Sequence, residues 1–135
     1  MADSQQNVSS TVDRFVDALS TGNAGILHAL FTDDAVIWHN YDQLAQPAAA
    51  ALGALAGLAA LRPRYEIIGR DVVDSACIQR HVVHLTLPGG QAASIPAIQR
   101  ISVSDGLIRR IDEYMDSAQM LVAVQALQAG SPSSA

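Results

Sequence analysis

The chain has 135 residues, of which 50% are hydrophobic, so its size fits one domain with a core of its own. Its net charge of −5 disfavours binding to nucleic acid or to an anionic membrane surface, because both require a basic face. All of its basic residues are arginine, which excludes Schiff-base chemistry and a phosphate-binding lysine. The single cysteine, Cys77, excludes an internal disulfide and a cysteine-based zinc site.

Three segments of the chain predict how it is organised and where the protein is located. The N-terminal segment is polar and lacks the basic and apolar regions of a signal peptide. The alanine-rich stretch at residues 48–61 is apolar but shorter than a membrane span. We therefore expect a cytoplasmic protein with no membrane partner. We expect flexible ends at residues 1–6 and 129–135, and one folded domain over residues 7–128.

The first half of the chain carries most of the helical pattern. Apolar residues at helical spacing predict one helix over residues 7–22 and a shorter one over residues 23–31. The β-branched and aromatic stretch at residues 35–41 predicts a strand. Pro47 suits the first turn of a third helix, which leucines at every third position continue over residues 47–61.

From Tyr65 onward the apolar residues alternate, which is typical of strands. The alternation predicts an antiparallel meander of strands over residues 65–73, 76–87, 91–103 and 107–115. An Asp105-Gly106 turn joins the last pair, and a final helix begins at Ser117, with Asp116 or Ser117 as its cap. This order predicts an α+β fold in which helices cover the concave side of a strongly curved, mixed or antiparallel sheet around a pocket.

The last predicted strand carries a carboxylate on its apolar face. Glu113 shares that face with Leu107, Ile111 and Met115. A carboxylate is costly to bury unless it is paired, hydrogen-bonded or protonated, and the cost is tolerated mostly where a cavity needs a polar group. Glu113 is therefore the leading catalytic candidate, and Ile111 and Met115 would line the pocket beside it. A solvated strand edge or an oligomer contact is the alternative explanation of Glu113.

Other polar residues lie on apolar faces of the meander. Gln99 lies on the apolar face of the third strand, where it would line the cavity or bond to backbone. His81 lies among apolar residues of the second strand and is a candidate partner of Glu113, although a structural histidine explains it as well. The opposite face, with Arg80 and His84, stays open, because a one-residue shift in register exchanges the two faces.

The first strand also leaves its inward face open. His39 lies on one face, Trp38 and Asn40 lie on the other, and neither face is clearly the apolar one. If the first face points inward, His39 is a second candidate partner of Glu113; if the other does, Trp38 and Asn40 line the pocket. The histidines of the chain have neither HxH nor HExxH spacing, so we predict no metal site.

The order of elements resembles the NTF2-like superfamily, and within it the SnoaL-like and ketosteroid-isomerase-like proteins. The most specific segments are DDAVIWHNYD at residues 33–42 and DGLIRRIDEYMD at residues 105–116. The resemblance covers residues 8–124 and implies a cone-shaped fold whose pocket serves isomerases, cyclases, epoxide hydrolases, dehydratases or binding domains. It also implies a homodimer that pairs through the outer face of the sheet.

The resemblance also implies roles for particular residues. Compared with limonene-epoxide-hydrolase-like relatives, Glu113 occupies the last-strand carboxylate position and Arg80 the arginine position. Trp38 and Asn40 match the pair on the first strand, but a valine replaces the second acid of the water-activating set. In ketosteroid isomerases the base stands near the position of His39, but here the first helix has no tyrosine. In SnoaL-type polyketide cyclases a last-strand acid transfers the proton, and Glu113 matches it.

The residues and the resemblance together predict a small acid–base enzyme of the isomerase, cyclase or hydrolase/dehydratase type. Its substrate would be an apolar polyketide-, steroid- or terpenoid-like molecule. Glu113 would move the proton with His81 or His39 as its partner, while Asn40 and Gln99 orient an oxygen. No organic cofactor is expected, since the chain lacks a glycine-rich phosphate loop. The alternatives are a non-catalytic ligand-binding domain and a structural dimerisation domain.

Overall fold

Within residues 2–130, three helices and two strands form the part up to Ala60, and four strands and a final helix follow. A computed structural model describes residues 2–130 and, within them, the side chains of residues 6–125. The helices of this part are α1 (Ala2–Thr21), α2 (Ala24–Ala29), α3 (Ala48–Ala60) and α4 (Ser117–Gly130). Its strands are β1 (Phe31–His39), β2 (Ala45–Pro47), β3 (Arg64–Val73), β4 (Ala76–Thr86), β5 (Ala92–Ser104) and β6 (Leu107–Met115). No helix over residues 2–130 has the length and apolar character that crossing a membrane requires.

One sheet contains the strands in the order β2-β1-β6-β5-β4-β3. The antiparallel meander β3–β6 follows the sequence prediction. β1 runs parallel to β6, which makes β6 a central strand and the sheet a mixed one. The predicted α+β fold, with helices on one side of a curved and unclosed sheet, is confirmed.

Some boundaries differ from the predictions. β1 begins at Phe31, whereas the sequence predicts a strand only from residue 35. Phe31 pairs with Ile108, and the Ile108 N–H donates to the Leu30 carbonyl at 2.7 Å, so pairing with β6 ends α2 early. The strand β2 is not predicted, because a segment of 3 residues is too short to show alternation. α1 begins at Ala2, before the predicted start, and residues 131–135 of the predicted tail lie outside the described part.

Two side-chain caps and one tight turn fix the ends of these elements. The Asn23 side chain accepts from the Ile26 N–H at 3.1 Å and caps α2. Asp116 caps α4, because its carboxylate accepts from the N–H of Ala118 at 3.0 Å. Asp105 and Gly106 both have positive φ, 51° and 78°, as a tight hairpin turn of the Asp-Gly type requires. These local signals confirm the predicted starts of α2 and α4 and the last hairpin.

The apolar core lies between the helices and the concave face of the sheet. One cluster joins α1, α2 and α3 to that face and includes an edge-to-face pair between Phe15 and Phe31, with ring centroids 5.9 Å apart. A second cluster joins Val83, Leu85 and Ile95 of the sheet to α4. Burying one such side chain contributes about 1.5–3 kcal/mol. The two clusters leave a cavity between them.

Candidate functional site

A cavity of about 470 Å³ lies between the concave face of the sheet and the helices α1, α3 and α4. Most of its wall is aliphatic. Its polar lining comes from side chains of the sheet and of the turn after β1, namely His39, Tyr41, Tyr65, Gln99 and Glu113. A volume in this range suits one small organic molecule. The charged group that such a molecule would meet is a carboxylate in an apolar setting.

The Glu113 carboxylate has a partner at each oxygen. His39 Nε2 lies 3.1 Å from Oε1, and Gln99 Nε2 donates to Oε2 at 2.6 Å. The sheet dictates this arrangement, because Glu113 on β6 is directly opposite His39 on β1 and Gln99 on β5, with all three on the concave face. The residue is only 9% exposed, so these partners replace much of the water that a carboxylate normally binds.

Two tyrosines complete the polar end of the cavity. Burial raises the pKa of Tyr65, and the Glu113 charge raises it further, so the phenol keeps its proton over the whole physiological range. Burial, then Asp42 and Glu113, raise the pKa of Tyr41, whose ring lies 4.9 Å from that of His39. Both hydroxyls can therefore donate a hydrogen bond to a ligand oxygen.

Neither tyrosine is among the site residues predicted from the sequence. Tyr41 shares the face of His39 in the alternating pattern, which is a signal that could have found it. Tyr65 begins the strand pattern on β3, and it reaches the cavity because it is paired with Val83 of β4. That register depends on contacts between strands, so the pattern of β3 alone gives no signal for Tyr65.

His81 lies behind the cavity wall. It is 1% exposed, its ring packs 5.0 Å from that of Tyr65, and its Nδ1 lies 3.0 Å from Gln79 Nε2. Burial lowers the pKa of His81, and the Glu113 charge opposes part of that shift. The ring is therefore neutral at pH 7. The histidine partner of Glu113 in the structure is thus His39. On β4, whose inward face the sequence left open, His81 lies on the buried face.

Two residues that the sequence analysis assigns to ligand binding lie outside the cavity. Trp38 packs against Tyr114 on the outer face of the sheet, with ring centroids 5.1 Å apart. Arg80 is exposed on the same outer face. The reason is the alternation of side chains along a strand, since His39 and His81 point inward and their neighbours must point outward. These two assignments are corrected.

Asn40, Ile111 and Met115 differ in their relation to the cavity. Asn40 donates from Nδ2 to the Met115 carbonyl at 3.2 Å and accepts the Met115 N–H at Oδ1, so it ties the end of β1 to β6. This corrects its predicted role in orienting a ligand oxygen. Ile111 is 2% exposed and belongs to the core cluster of α1 and α3 rather than to the cavity wall. Met115 lines the cavity, as expected.

The polar end offers proton transfer and hydrogen bonding. Over the described residues, no three His, Cys, Asp or Glu side chains lie close enough together to hold a metal ion. A positioned carboxylate can accept a proton from a ligand carbon or hydroxyl, and a protonated tyrosine can stabilise the oxygen on which charge develops. Tyr65 and Glu113 line the same cavity, so one molecule could meet both groups.

A curved, unclosed sheet of mixed strands, with helices over its concave face and a cavity between the layers, defines an NTF2-like domain. Within this class, the family model of the SnoaL-like domain matches residues 12–111. The chain belongs to the SnoaL-like family. No curated protein matches it in sequence.

Solved structures share the fold at low sequence identity. IdmH from Streptomyces antibioticus, named as a candidate polyketide cyclase, is 18% identical with a TM-score of 0.74, over 87% of this chain and 98% of its own. PrhC from Penicillium brasilianum is 15% identical with a TM-score of 0.79, over 93% and 91%. A Catenulispora acidiphila protein with a ketosteroid isomerase-like fold is 14% identical with a TM-score of 0.71, over 90% and 97%. At these identities the likeness is one of fold.

Proposed function

We propose that this protein is a small acid–base enzyme that needs no organic cofactor and acts on an apolar, oxygen-bearing molecule inside the cavity. The observation that carries the proposal is the Glu113 carboxylate, which lines an apolar cavity with His39 and Gln99 at its two oxygens. A carboxylate is retained at such a place against a desolvation cost, and proton transfer is the chemistry it can supply there.

In the proposed reaction, Glu113 takes a proton from a carbon next to a carbonyl group. The electrons of the broken C–H bond move onto the carbonyl oxygen, and the O–H of Tyr65 donates a hydrogen bond to the enolate that forms. Return of the proton to another carbon gives an isomerase, and attack of the enolate carbon on a second carbonyl gives a cyclase. A positioned base of this kind contributes about a hundred- to ten-thousand-fold in rate.

The cavity wall supports an apolar substrate. Its polar groups lie on the sheet side, while the helices α1, α3 and α4 supply apolar side chains. A polyketide-, steroid- or terpenoid-like molecule has this combination of a large apolar body and a few oxygens. The resemblance to IdmH, named as a candidate polyketide cyclase, supports a polyketide-like substrate among these. Hydrolysis or dehydration of such a molecule is a further form of the same acid–base chemistry.

The chain offers a matched pair of variants for testing this proposal, because its only glutamates are Glu113 and Glu66. We expect Glu113→Gln to lower turnover of an enolisable ketone by about a hundredfold or more. Glu66→Gln, on an exposed residue of β3, should leave turnover unchanged. Rates are measured over a panel of polyketide, steroid and terpenoid ketones. Turnover of Glu113→Gln within a few-fold of the parent protein would rule out Glu113 as the base.

A ligand-binding domain without catalysis is the second candidate. One observation favours it: both Glu113 oxygens already have protein partners, as in a site that only orients a ligand. The distinguishing experiment measures thermal shifts against the same panel and then analyses the bound compounds for conversion. Binding with complete recovery of unchanged compound supports this candidate, and product formation excludes it.

We also propose a homodimer that pairs through the outer face of the sheet. Ile98 and Tyr114 are directly opposite each other on β5 and β6, and they are 39% and 56% exposed. Exposed apolar side chains on one sheet face are typical of an interface. Tyr114→Asp should convert a dimer to a monomer in sedimentation experiments. The third candidate function is a purely structural dimerisation domain.

The cytoplasmic location of the protein stays a prediction.

A further inference from the structure

A line of hydrogen bonds approaches the site from behind, starting at α1. Arg70 Nη1 lies 2.6 Å from Asp13 Oδ1 and 3.0 Å from Ser9 Oγ. The same guanidinium donates to Gln79 Oε1 from Nε at 3.0 Å and from Nη2 at 2.7 Å. Gln79 Nε2 then lies 3.0 Å from His81 Nδ1. Gln79 and His81 are 0% and 1% exposed, so water does not compete for the bond between them.

The guanidinium decides the direction of every bond in this line. Arginine has only donors and stays charged, so the oxygen of the Gln79 amide must face it. The amide nitrogen of Gln79 then faces the ring of His81 as a donor. His81 Nδ1 has to accept that bond, and a neutral ring with an acceptor at Nδ1 carries its proton on Nε2. Among the described side chains, the line of hydrogen bonds therefore ends at a free donor, the Nε2–H of His81, on the concave face of the sheet.

A complementary acceptor is close by and also buried. Among the described side chains, His81 Nε2 and Gln99 Oε1 are buried polar atoms that have no hydrogen-bond partner. Gln79 is directly opposite Gln99, and His81 is opposite Ala97, so His81 and Gln99 are diagonal neighbours on the concave face. Side chains at such positions start roughly 7–8 Å apart, so the two polar atoms are placed where one bridging water could join them.

We propose that the Nε2–H of His81 donates to Gln99 Oε1 through one buried water. A continuous chain of donors, all pointing the same way, then runs from Arg70 through Gln79, His81 and Gln99 to the Glu113 carboxylate. The chain fixes which end of the Gln99 amide faces Glu113, since an amide with its oxygen linked to His81 through the water must offer its nitrogen to the carboxylate. Arg70 and Gln79 are therefore positioning residues that act on Glu113 from a distance.

The catalytic consequence rests on the proposed function, but the donor chain does not. If Glu113 is the base, the chain holds its carboxylate as a hydrogen-bond acceptor, in the form that takes up a proton. Reversing one bond would turn the amide of Gln99 and place its oxygen against the oxygens of Glu113. A change at Gln79 should therefore lower kcat by about tenfold, the equivalent of one lost hydrogen bond, and leave KM nearly unchanged.

The tautomer of His81 tests the chain without any substrate. We expect nitrogen NMR of the full chain, labelled at its histidine rings, to show a neutral His81 with its proton on Nε2. Gln79→Glu keeps the acceptor for Arg70 but offers only acceptors to the ring, so the His81 proton should move to Nδ1. Gln46→Glu makes the same amide-to-carboxylate change on the exposed strand β2 and should leave the tautomer as it is. A proton on Nδ1 in the parent protein, or an unchanged tautomer in Gln79→Glu, overturns the proposal.

A second variant tests the last link. In Gln99→Met the acceptor that holds the bridging water at the Nε2–H is removed, so exchange of this proton with water should accelerate by about tenfold or more. Unchanged exchange would mean that His81 and Gln99 are not linked. The NMR measurements test the donor chain and need no substrate. Their result therefore stands even if Glu113→Gln proves fully active and the proposed function fails.

Discussion

Two histidine–glutamate pairs in this protein use the same side chains in opposite settings. The inner pair, His39 with Glu113, lies on the concave face with its closest atoms 3.1 Å apart. The outer pair, His84 with Glu66, lies on the exposed face with its closest atoms 2.8 Å apart. The shorter contact belongs to the outer pair, yet the inner pair lines the cavity. The distance between the partners therefore does not distinguish the two pairs. They differ in how far the glutamate is removed from solvent.

The largest difference between the concave and the outer face of the sheet should appear in the turnover rate, when a tyrosine on each face is replaced. We expect Tyr65→Phe to lower turnover by about a hundred- to a thousandfold, because it removes the donor proposed for the developing oxyanion. Tyr114→Phe, on the outer face, should leave the rate per active site unchanged. Steady-state kinetics on the best substrate of the panel would measure both. Equal rates for the two variants would remove Tyr65 from the mechanism.

The next difference concerns stability. We expect His39→Leu to lower the free energy of unfolding by about 3 kcal/mol, because it leaves the buried Glu113 carboxylate without one of its partners. His84→Leu should cost less than about 1 kcal/mol, since solvent replaces the lost partner of Glu66. Urea unfolding monitored by circular dichroism at pH 7.5 compares them. Similar losses in both variants would mean that the inner carboxylate is better solvated than its burial indicates.

A smaller effect should appear in the pH dependence of stability, through the buried His81 of β4. Burial lowers the pKa of His81 below its ordinary value of 6.5, so below about pH 6.5 the unfolded chain binds a proton that the folded chain does not. The contribution of His81 is therefore complete above pH 6.5 and is lost as the pH falls towards its folded pKa. The slope is at most about 1.4 kcal/mol per pH unit.

One variant assigns that slope. His81→Gln should remove part of the pH dependence of the free energy of unfolding between about pH 6.5 and 5. The free energy of unfolding is measured in urea at several pH values. A slope that survives in His81→Gln would place the titrating group elsewhere.

The smallest expected effect belongs to the outer pair. Glu66→Gln should change the free energy of unfolding by less than about 1 kcal/mol, and 1 M salt should remove most of that difference, because exposed charges are screened. Denaturation at low and high salt provides the measurement. A loss that persists in 1 M salt would show that the two pairs are more alike than their exposure implies.

The fold and the central carboxylate follow from sequence because their signals are local. Alternation along β6 predicts Glu113 on an apolar face, and alternation along β5 predicts Gln99 there. The exposed fractions of the two residues agree with both predictions, at 9% and 6%. Such signals need only the spacing of residues within one strand.

The rest of the site depends on contacts between distant segments. β1 has apolar residues on both faces, since its outer face packs Trp38 against Tyr114, so its own pattern could not decide that His39 points inward. The parallel pairing with β6 decides it, and that pairing joins segments far apart in the chain. In the same way, Arg70 reaches Asp13 across 57 positions, a bond with no signal in the sequence.

The cavity draws its two kinds of wall from different parts of the chain. The polar groups come from the sheet and from the turn that follows β1, whereas α3 and α4 contribute apolar residues and contain no charged residue at all. Substitutions in these two helices would change the shape of the molecule that fits and leave Glu113 with its neighbours untouched. If the proposed function holds, the choice of substrate and the proton transfer can therefore be altered separately.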